Sequence, residues 1–370
     1  MRLMHVVDSL EVGGLERVVT DLAIEQKRQG HEVIVFSLQS TEGLAAELSR
    51  GGVEVAIGHK RGTADLRMLR QMRRLMRERR IELVHCHNFV PNYHAAAATL
   101  FMHRRPVIVG TCHDMGMRLS NQRLRRLFRW SLTRTAGLAM VGRQVHDHFV
   151  GEGYVTPDRA LTVLNGTPLD RFANSPERRA AGRAALGVAD DELLIGAVGR
   201  LVGLKNHRLL IEQMPALIAR FPRARLVIVG GGPLQDELAA LITQLGLSDR
   251  VALLGQRSDV ALLSAGFDVF AMPSLTEGLS IALLEACATH LAIVTTAVGG
   301  NPEIVHDGKT GLLVPPADGP ALLAALSRML GDAQLRARLA DQAYQWVVAN
   351  ASVDKLALSY TSFYQRCLAV

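Results

Sequence analysis

Cysteine and aromatic residues are scarce in this sequence, and long apolar runs are missing. Aromatic side chains make up 5% of the 370 residues, and the four cysteines are scattered, mostly in apolar stretches: Cys86, Cys112, Cys287 and Cys367. This spacing argues against a disulfide framework and indicates reduced, structural thiols. No apolar run approaches the roughly 18 residues of a membrane-spanning helix, and a strand pattern begins at once, without a charged leader. We therefore expect a cytoplasmic protein that does not span a membrane.

The excess of positive over negative charge lies entirely in the first half of the chain. Residues 1–170 carry 24 Lys and Arg against 17 Asp and Glu, whereas residues 171–370 carry 18 of each sign. An excess of this kind favours an anionic partner for the first half. That partner is a membrane surface, a phosphorylated substrate or nucleic acid, and the sign of the charge does not choose between them.

Short apolar runs alternate with helical periods along the whole chain, which predicts βαβ units and parallel sheets. The pattern is interrupted between Asn165 and Asp190, where glycine, proline and small residues indicate a linker or a linker with a short helix. The sequence therefore predicts an α/β protein of two doubly wound, Rossmann-like domains, residues 1–170 and 171–353, that face a central cleft. We expect the last helix, about residues 354–370, to pack back on the first domain.

The segment from 271 to 296 combines a buried strand, a glycine turn, two glutamates and a helix start. Ser280 is a suitable cap for a helix that runs to Ala288. The N–H groups of Gly278, Leu279 and Ser280 would then favour an anion such as a phosphate at the helix start. Glu277 precedes the helix, where a hydroxyl is its expected partner, and Glu285 lies inside it, within reach of a ribose diol. The segment predicts half of a sugar-nucleotide site.

Basic and glycine-rich loops follow other predicted strands. Arg200 and Lys205 lie in the loop GRLVGLK, as the binding of a diphosphate would require. The turn VGGGP allows a ligand to approach the backbone closely at Gly230. We expect the backbone of Gln256 and Arg257 to lie near a nucleobase.

The first such loop of the chain contains Gly13 and Gly14 ahead of a helix start. Free N–H groups there suit a ligand anion. The loop does not have the dinucleotide-binding pattern G-x-G-x-x-G, and a tight turn without a ligand is the alternative.

Histidine and cysteine residues cluster in two predicted strand ends. His85, Cys86 and His87 follow one strand, and Cys112 and His113 follow another. A zinc site is one interpretation, but alternate residues of a strand point to opposite faces, so the cluster should split and we expect no metal. His85 and Cys86 are then core residues, His87 and Asn88 are candidates for the cleft, and His113 is expected to bind a substrate hydroxyl.

Two basic amphipathic helices are predicted at 65–80 and 121–135. Each places arginines around an apolar stripe, which suits either anionic lipid or the phosphates of an acceptor, while a solvated face is the simpler interpretation. The second helix, with Phe128 and Trp130, is the better candidate for membrane or acceptor contact, through Arg123, Arg125, Arg126 and Trp130.

Taken in order, these motifs resemble those of the glycosyltransferases of the GT-B fold, specifically family 4. The resemblance rests on EGLSIALLE as E-x7-E, GRLVGLK, GGLE, NGTPLDRF, VGGGP, GGNPEIV and DGKTGLLVPP, and it spans nearly the whole chain. It implies that Arg200 and Lys205 bind the donor pyrophosphate and that Glu285 binds the ribose. It also implies that Glu277 faces the transferred sugar and that His113 contacts that sugar or stabilises the transition state.

The resemblance further implies transfer with retention of anomeric configuration, no metal ion and no cofactor, with a UDP- or GDP-sugar as co-substrate. The first domain would bind the acceptor, and its positive charge predicts a glycan or lipid-linked acceptor in bacterial surface polysaccharide or lipopolysaccharide synthesis. We expect peripheral contact with anionic lipid at the inner membrane face and no nucleic acid. The alternatives are a sugar-nucleotide epimerase of the same fold and a non-catalytic basic protein that binds membrane or nucleic acid.

Overall fold

The computed structural model describes residues 1–39, 43–62, 65–113 and 117–369. The chain forms two compact units, the first of Met1–Gly166 with Val353–Val370 and the second of Thr167–Ser352. All four cysteines are buried, as expected for structural thiols. None of the helices in the described part of the chain combines the length and apolar character that crossing a bilayer requires.

The first unit is built on a parallel sheet whose strands are rich in Val, Ile and Leu. Its strands are β1 (Arg2–Val7), β2 (Glu32–Ser37), β3 (Glu54–Ile57), β4 (Leu83–His87), β5 (Val107–Cys112), β6 (Gly137–Val141) and β7 (Ala160–Val163). Its first helices are α1 (Gly14–Arg28), α2 (Ala45–Arg50), α3 (Leu66–Glu78), α4 (Phe89–Ala98), α5 (Gln122–Leu132) and α6 (Arg143–Gly151). The strand order is β3-β2-β1-β4-β5-β6-β7, so the winding reverses between β1 and β4. In open α/β sheets the ligand site lies at the carboxyl ends of the strands at such a reversal.

The helix α3 shows how the sequence specifies these elements. The Asp65 carboxylate accepts hydrogen bonds from the backbone N–H groups of Arg67 and Met68, at 3.0 and 3.2 Å, and so caps the helix start. Met68, Met72 and Met76 recur every four residues and are buried in the core, while most of the arginines between them face solvent. The amphipathic pattern alone predicts this arrangement.

The second unit repeats the architecture. Its strands are β8 (Leu193–Val198), β9 (Ala224–Val229), β10 (Val251–Leu253), β11 (Val269–Met272), β12 (Ala292–Thr296) and β13 (Leu312–Val314). Its helices are α7 (Leu169–Phe172), α8 (Pro176–Leu186), α9 (His207–Arg220), α10 (Gln235–Gln244), α11 (Val260–Ala265), α12 (Ile281–Ala288), α13 (Asn301–Ile304), α14 (Gly319–Gly331) and α15 (Ala333–Asn350). The order β10-β9-β8-β11-β12-β13 reverses between β8 and β11. The predicted pair of doubly wound α/β sheets is confirmed.

The last helix, α16 (Val353–Leu368), belongs to the first unit. Tyr360 and Tyr364 on this helix are buried, and their hydroxyl groups bond to residues of α1, β4 and β5. Residue 370, the end of the predicted helix, lies outside the described residues.

The segment predicted as a linker, or as a linker with a short helix, contains the helix α8. Ser175 caps α8, and Gly187 ends it in the left-handed conformation. Arg183 on α8 is 3% exposed and its Nη1 lies 3.2 Å from the Asp268 carboxylate, while Arg179 Nη2 lies 2.6 Å from the same group. A carboxylate before β11 therefore fixes α8 to the second unit.

Candidate active site

The loop between β11 and α12 carries the two glutamates singled out in the sequence. The Ser280 hydroxyl accepts a hydrogen bond from the Leu283 N–H at 3.4 Å and caps α12, as predicted. The backbone N–H groups of Gly278 and Ser280 make no hydrogen bond to a described residue. The start of α12 thus presents N–H groups and a positive dipole end, which suit an anion.

Glu277 is held by two donors. Lys205 Nζ and Ser274 Oγ each lie 2.6 Å from the Glu277 Oε1 atom. The carboxyl side chain of Glu277 is 8% exposed, and the Lys205 side chain is 22% exposed. Because Lys205 follows β8 and Glu277 follows β11, the ion pair bridges the reversal of strand order. The structure therefore brings together two of the predicted site residues.

Arg200 lies in the same loop as Lys205 but in a different environment. Its side chain is exposed and makes no hydrogen bond or ion pair to any residue within the described ranges. A guanidinium in this state has all its donors available for a bidentate contact with a phosphate.

Glycine permits the loops around these residues to approach one another closely. Gly230 has a φ of 149°, and a Cβ atom there would lie 2.0 Å from the Gly199 carbonyl oxygen, beside Arg200. Gly299 packs in the same way on the backbone of Glu277, where a Cβ atom would lie 1.9 Å from the carbonyl oxygen. A side chain at either position would displace the loop that carries a charged site residue.

Four of the remaining predicted donor residues follow strands and so lie at the carboxyl edge of the second sheet: Gly230, Gln256, Arg257 and Leu279. Gln256 is exposed, and its Cβ atom lies 3.6 Å from the Cβ position of Gly231. Arg257 is also exposed, and its guanidinium is paired with Asp259 at 2.6 Å. Leu279 is buried, and Glu285 is partly buried on α12.

Two further residues of this site were missed in the sequence. Ser274 positions Glu277, and the sequence indicates this role only by placing a small polar residue three positions before the glutamate. His207 begins α9 and is 4% exposed, and its Nε2 atom lies 3.6 Å from the Cβ position of Gly199. Burial lowers the pKa of His207 to about 4, so it supports the Gly199–Arg200 turn as a neutral ring.

In the first unit, histidines occupy the reversal between β1 and β4. His5 pairs with His85 in the sheet register, and His87 lies two residues further along β4 on the same face. The cluster of histidine and cysteine residues therefore splits as expected, because Cys86 points to the other side, into the core. His87 is not the cleft residue that the sequence suggested, since it is 1% exposed.

The three histidines form a compact group. Their ring nitrogens, from His5, His85 and His87, lie within 4.8 Å of one another. Each of these nitrogens also lies within hydrogen-bond distance of a protein partner. The group therefore fits a hydrogen-bonded cluster, and a metal ion would have to displace these bonds.

His113 follows β5 and extends this group toward the surface. Its Nε2 atom lies 3.1 Å from His87 Nδ1, and its backbone N–H donates to the Asn88 side-chain oxygen at 2.9 Å. Burial lowers the pKa of His113 to about 3, so the ring is neutral at physiological pH. His113 as a whole residue is partly exposed, whereas the histidines behind it are buried.

The other predicted residues of the first unit lie in two places. Gly13 caps α1 through its extended backbone, and Gly14 is the first residue of that helix. On α5, four residues proposed for acceptor or membrane contact are exposed: Arg123, Arg125, Arg126 and Trp130. Phe128 is not available for such contact, because it is buried against Phe89 and Phe149 in the core.

Two family models match consecutive parts of the chain. Residues 12–171 match Glycosyltransferase Family 4, and residues 179–346 match Glycosyl transferases group 1. The chain therefore contains a family 4 and a group 1 glycosyltransferase domain, in agreement with the motifs. The structure of Anabaena Alr3699/HepE in complex with UDP-glucose has the same fold, with a TM-score of 0.87 and 22% identity over 99% of this chain and 100% of that chain.

Curated relatives include enzymes with nucleotide-sugar donors. The GDP-mannose-dependent alpha-(1-6)-phosphatidylinositol monomannoside mannosyltransferase of Mycolicibacterium smegmatis is 35% identical over 52% of this chain and 53% of that protein. The UDP-Gal:alpha-D-GlcNAc-diphosphoundecaprenol alpha-1,3-galactosyltransferase of Escherichia coli is 26% identical over 72% of this chain and 71% of that protein. The chain spans about half the length of the first curated relatives that it matches.

Proposed function

We propose that this protein transfers a sugar from a nucleotide-sugar to a hydroxyl group of a glycan or lipid-linked acceptor. The observation that carries the proposal is the Lys205–Glu277 pair beside the backbone N–H groups of Gly278 and Ser280, which make no hydrogen bond to a described residue. A cation, an anion-binding helix start and a carboxylate on one sheet edge match the diphosphate and hydroxyl groups of such a donor.

Each group has a distinct role in donor binding. The start of α12 and the free guanidinium of Arg200 bind the diphosphate, and Lys205 contributes a second positive charge. Glu277, fixed by Ser274 and Lys205, accepts a hydrogen bond from a hydroxyl of the transferred sugar. Glu285, on the next turns of α12, accepts from the ribose. Gly230, Gln256 and Arg257 border the nucleoside.

The proposed chemistry is a front-face substitution with retention and without a metal ion. The bond between the anomeric carbon and the diphosphate oxygen breaks as the acceptor oxygen attacks from the same face. The acceptor proton passes to the leaving phosphate, whose growing charge Arg200 and Lys205 stabilise. The two side-chain cations can supply the charge neutralisation that a divalent ion supplies elsewhere.

The donor and acceptor classes are supported by the relatives and by charge. Among those relatives one is named for GDP-mannose and another for UDP-Gal, and both names specify lipid-linked acceptors. The exposed arginines of α5 suit the phosphates of such an acceptor or of anionic lipid. We propose a place in bacterial surface polysaccharide or lipopolysaccharide synthesis, at the cytoplasmic face of the inner membrane.

Donor binding is tested first, by thermal unfolding with UDP-, GDP- and ADP-sugars in the presence of a chelator. A ligand at 100 times its dissociation constant adds about 2.7 kcal/mol to the free energy of unfolding. We expect one nucleotide class to stabilise the protein and Glu277→Gln to retain this response while losing turnover. The matched control is Glu192→Gln, which changes a partly buried carboxylate paired with Arg225 at 3.3 Å, beside the amino end of β8.

Transfer is then measured with the stabilising donor and lipid-linked or glycan acceptors, and the anomeric configuration of the product is determined. A product with the donor's configuration supports the proposal. Formation of an epimer from donor alone, or no stabilisation by any nucleotide-sugar, would contradict it.

A further inference from the structure

A chain of buried hydrogen bonds leads from α1 to His113. Gln26 Oε1 lies 2.7 Å from His5 Nε2, and His5 Nδ1 lies 3.0 Å from His87 Nε2. The next contact joins His87 Nδ1 to His113 Nε2 at 3.1 Å. Gln26 and His5 are fully buried and His87 is 1% exposed, so solvent does not interrupt the chain. Two of these rings, His5 and His87, lie at the reversal of strand order, where a ligand site is expected.

His5, His87 and His113 are neutral rings, so each hydrogen bond between them has one nitrogen that donates and one that accepts. Burial lowers the pKa of His5 to about 4 and that of His87 well below its ordinary value. A neutral imidazole has one nitrogen that donates and one that accepts. When one nitrogen of the first ring is assigned as the donor, the role of every other nitrogen in the chain follows.

Gln26 supplies that assignment. Its amide nitrogen lies 3.2 Å from the Tyr364 hydroxyl oxygen, which leaves its carbonyl oxygen facing His5. A carbonyl oxygen only accepts, so His5 Nε2 donates and His5 Nδ1 accepts from His87 Nε2. His87 Nδ1 then accepts from His113 Nε2. The remaining nitrogen, His113 Nδ1, makes no hydrogen bond to another of the described residues and has a free lone pair.

We propose that Gln26, His5 and His87 are positioning residues that hold His113 in the Nε2–H tautomer, so that its Nδ1 atom accepts a hydrogen bond from a hydroxyl of the sugar substrate. This assignment rests on the proposed function for the identity of the hydroxyl. It deepens that proposal, because it states which atom of His113 contacts the sugar and why. Without this support, His113 would populate both tautomers. In the tautomer that carries its proton on Nδ1, that atom could not accept a hydrogen bond from a hydroxyl.

The bonding pattern favours this role over a metal site. His5, His85 and His87 could offer nitrogens to an ion, but all six of their ring nitrogens already face protein partners. The bonds of His85 run to Tyr364 and Thr111, at 2.7 and 2.6 Å. They form a second branch that meets the first at the Tyr364 hydroxyl, which also bonds to Gln26, and that does not touch His113. Metal binding by the three rings would break at least two of these contacts, whereas the relay from Gln26 through His5 and His87 to His113 leaves all of them intact.

The tautomers are measured directly by nuclear magnetic resonance on the full-length protein with nitrogen-15 histidine. Single histidine-to-asparagine variants assign the signals. We expect protonated Nε2 and unprotonated Nδ1 atoms in His5, His87 and His113. Protonated Nδ1 atoms in these rings, or a mixture of tautomers in His113, would overturn the proposal. A shift of His5, His85 and His87 to zinc-bound signals on adding zinc ions at an equimolar concentration would also overturn it.

Substitutions of Gln26, at the end of the relay farthest from His113, test the relay without changing His113 itself. Gln26→Met removes the acceptor, and we expect His113 to populate both tautomers, whereas Gln26→Glu keeps an acceptor and keeps the Nε2–H form. The matched control is Tyr360→Phe, which deletes an equally buried hydroxyl that bonds to Thr111 at 3.0 Å on the other branch. His113 should keep one tautomer in this control.

Kinetics then separate positioning from general damage. We expect Gln26→Met to lower kcat/KM for the donor about fivefold, the effect of one misplaced hydrogen bond, and to have no further effect in a His113→Ala background. An equal loss in both backgrounds would contradict the relay. If no nucleotide-sugar supports transfer, the proposed function fails, while the tautomer spectrum still decides the relay by itself.

Discussion

Lys205 Nζ donates to Glu277 Oε1 across 2.6 Å, and this contact joins the loop after β8 to the loop after β11. The two strands are neighbours at the reversal of the second sheet. One ion pair therefore sets the spacing of a cation and a carboxylate at the place where this fold binds ligands.

Removing one member of this pair should cost stability even without a ligand. Lys205→Ala leaves a carboxylate that is 8% exposed without its cation, and we expect a loss of about 3 kcal/mol in the free energy of unfolding. The double variant Lys205→Ala, Glu277→Gln should recover most of that loss, because neither charge is left alone. Urea unfolding measures both. A double variant as unstable as the single one would show that the pair is not coupled.

Arg200 should act on donor affinity and not on stability, because its side chain is exposed and makes no bond to the described residues. We expect Arg200→Ala to weaken nucleotide-sugar binding by about 10- to 100-fold, the effect of losing hydrogen bonds to a charged group. Arg200→Lys should restore only part of the affinity, since an ammonium cannot bind bidentately. Calorimetric titration measures the affinities, and an unchanged dissociation constant for Arg200→Ala would remove this residue from the site.

The buried histidines should make the first unit sensitive to acid. Burial lowers the pKa of His5 to about 4 and that of His113 to about 3, below the unfolded value of 6.5. Below pH 6.5 the unfolded chain therefore binds protons that the folded unit does not, and stability falls as the pH falls. Each such ring contributes a slope of about 1.4 kcal/mol per pH unit.

We expect His5→Gln to reduce that slope by this amount between pH 5.5 and 4.5. Unfolding is followed through Trp130 in a Trp346→Phe background, so that the fluorescence reports on the first unit. The matched control is His103→Gln, which replaces an exposed histidine. Equal slopes for wild type and His5→Gln would contradict the neutral state of this ring.

The exposed arginines of α5 should determine binding to anionic membranes. Replacing Arg123, Arg125 and Arg126 by Gln removes three charges, each worth about 1 kcal/mol near an anionic surface, so we expect binding to anionic vesicles at low salt to fall about a hundredfold. The matched control replaces Arg67, Arg70 and Arg77, which are exposed on α3. Vesicle sedimentation measures both sets. Equal losses would indicate a general effect of net charge, and binding that ignores salt would contradict the electrostatic account.

Local chemistry in the sequence is enough to place many of the elements. Asp65 and the methionines that follow it predict α3, and Ser280 predicts the start of α12, because capping and amphipathic spacing act within a few residues. The winding of both sheets follows from the alternation of strands and helices.

Contacts between distant residues are what the sequence does not reveal. His5 joins His85 only through the register of β1 and β4, and Gln26 meets Tyr364 across 338 positions of chain. Likewise, the sequence around α8 does not show that this helix packs on the second unit, because its partner Asp268 lies 85 residues from Arg183. In each case the two partners are close only in the folded chain, and the local sequence around either residue does not indicate the other.

The most direct measurement is the steady-state kinetics of Glu277→Gln and Glu285→Ala with the nucleotide-sugar that stabilises the protein. If Glu277 contacts the transferred sugar at the reacting centre, Glu277→Gln should lower kcat about a hundredfold, a change of about 2.7 kcal/mol in the barrier, with little change in KM. Glu285→Ala should raise the donor KM about tenfold and leave kcat nearly intact, while Glu192→Gln changes neither. A Glu277→Gln enzyme with full turnover, or one altered only in KM, would contradict the proposed site.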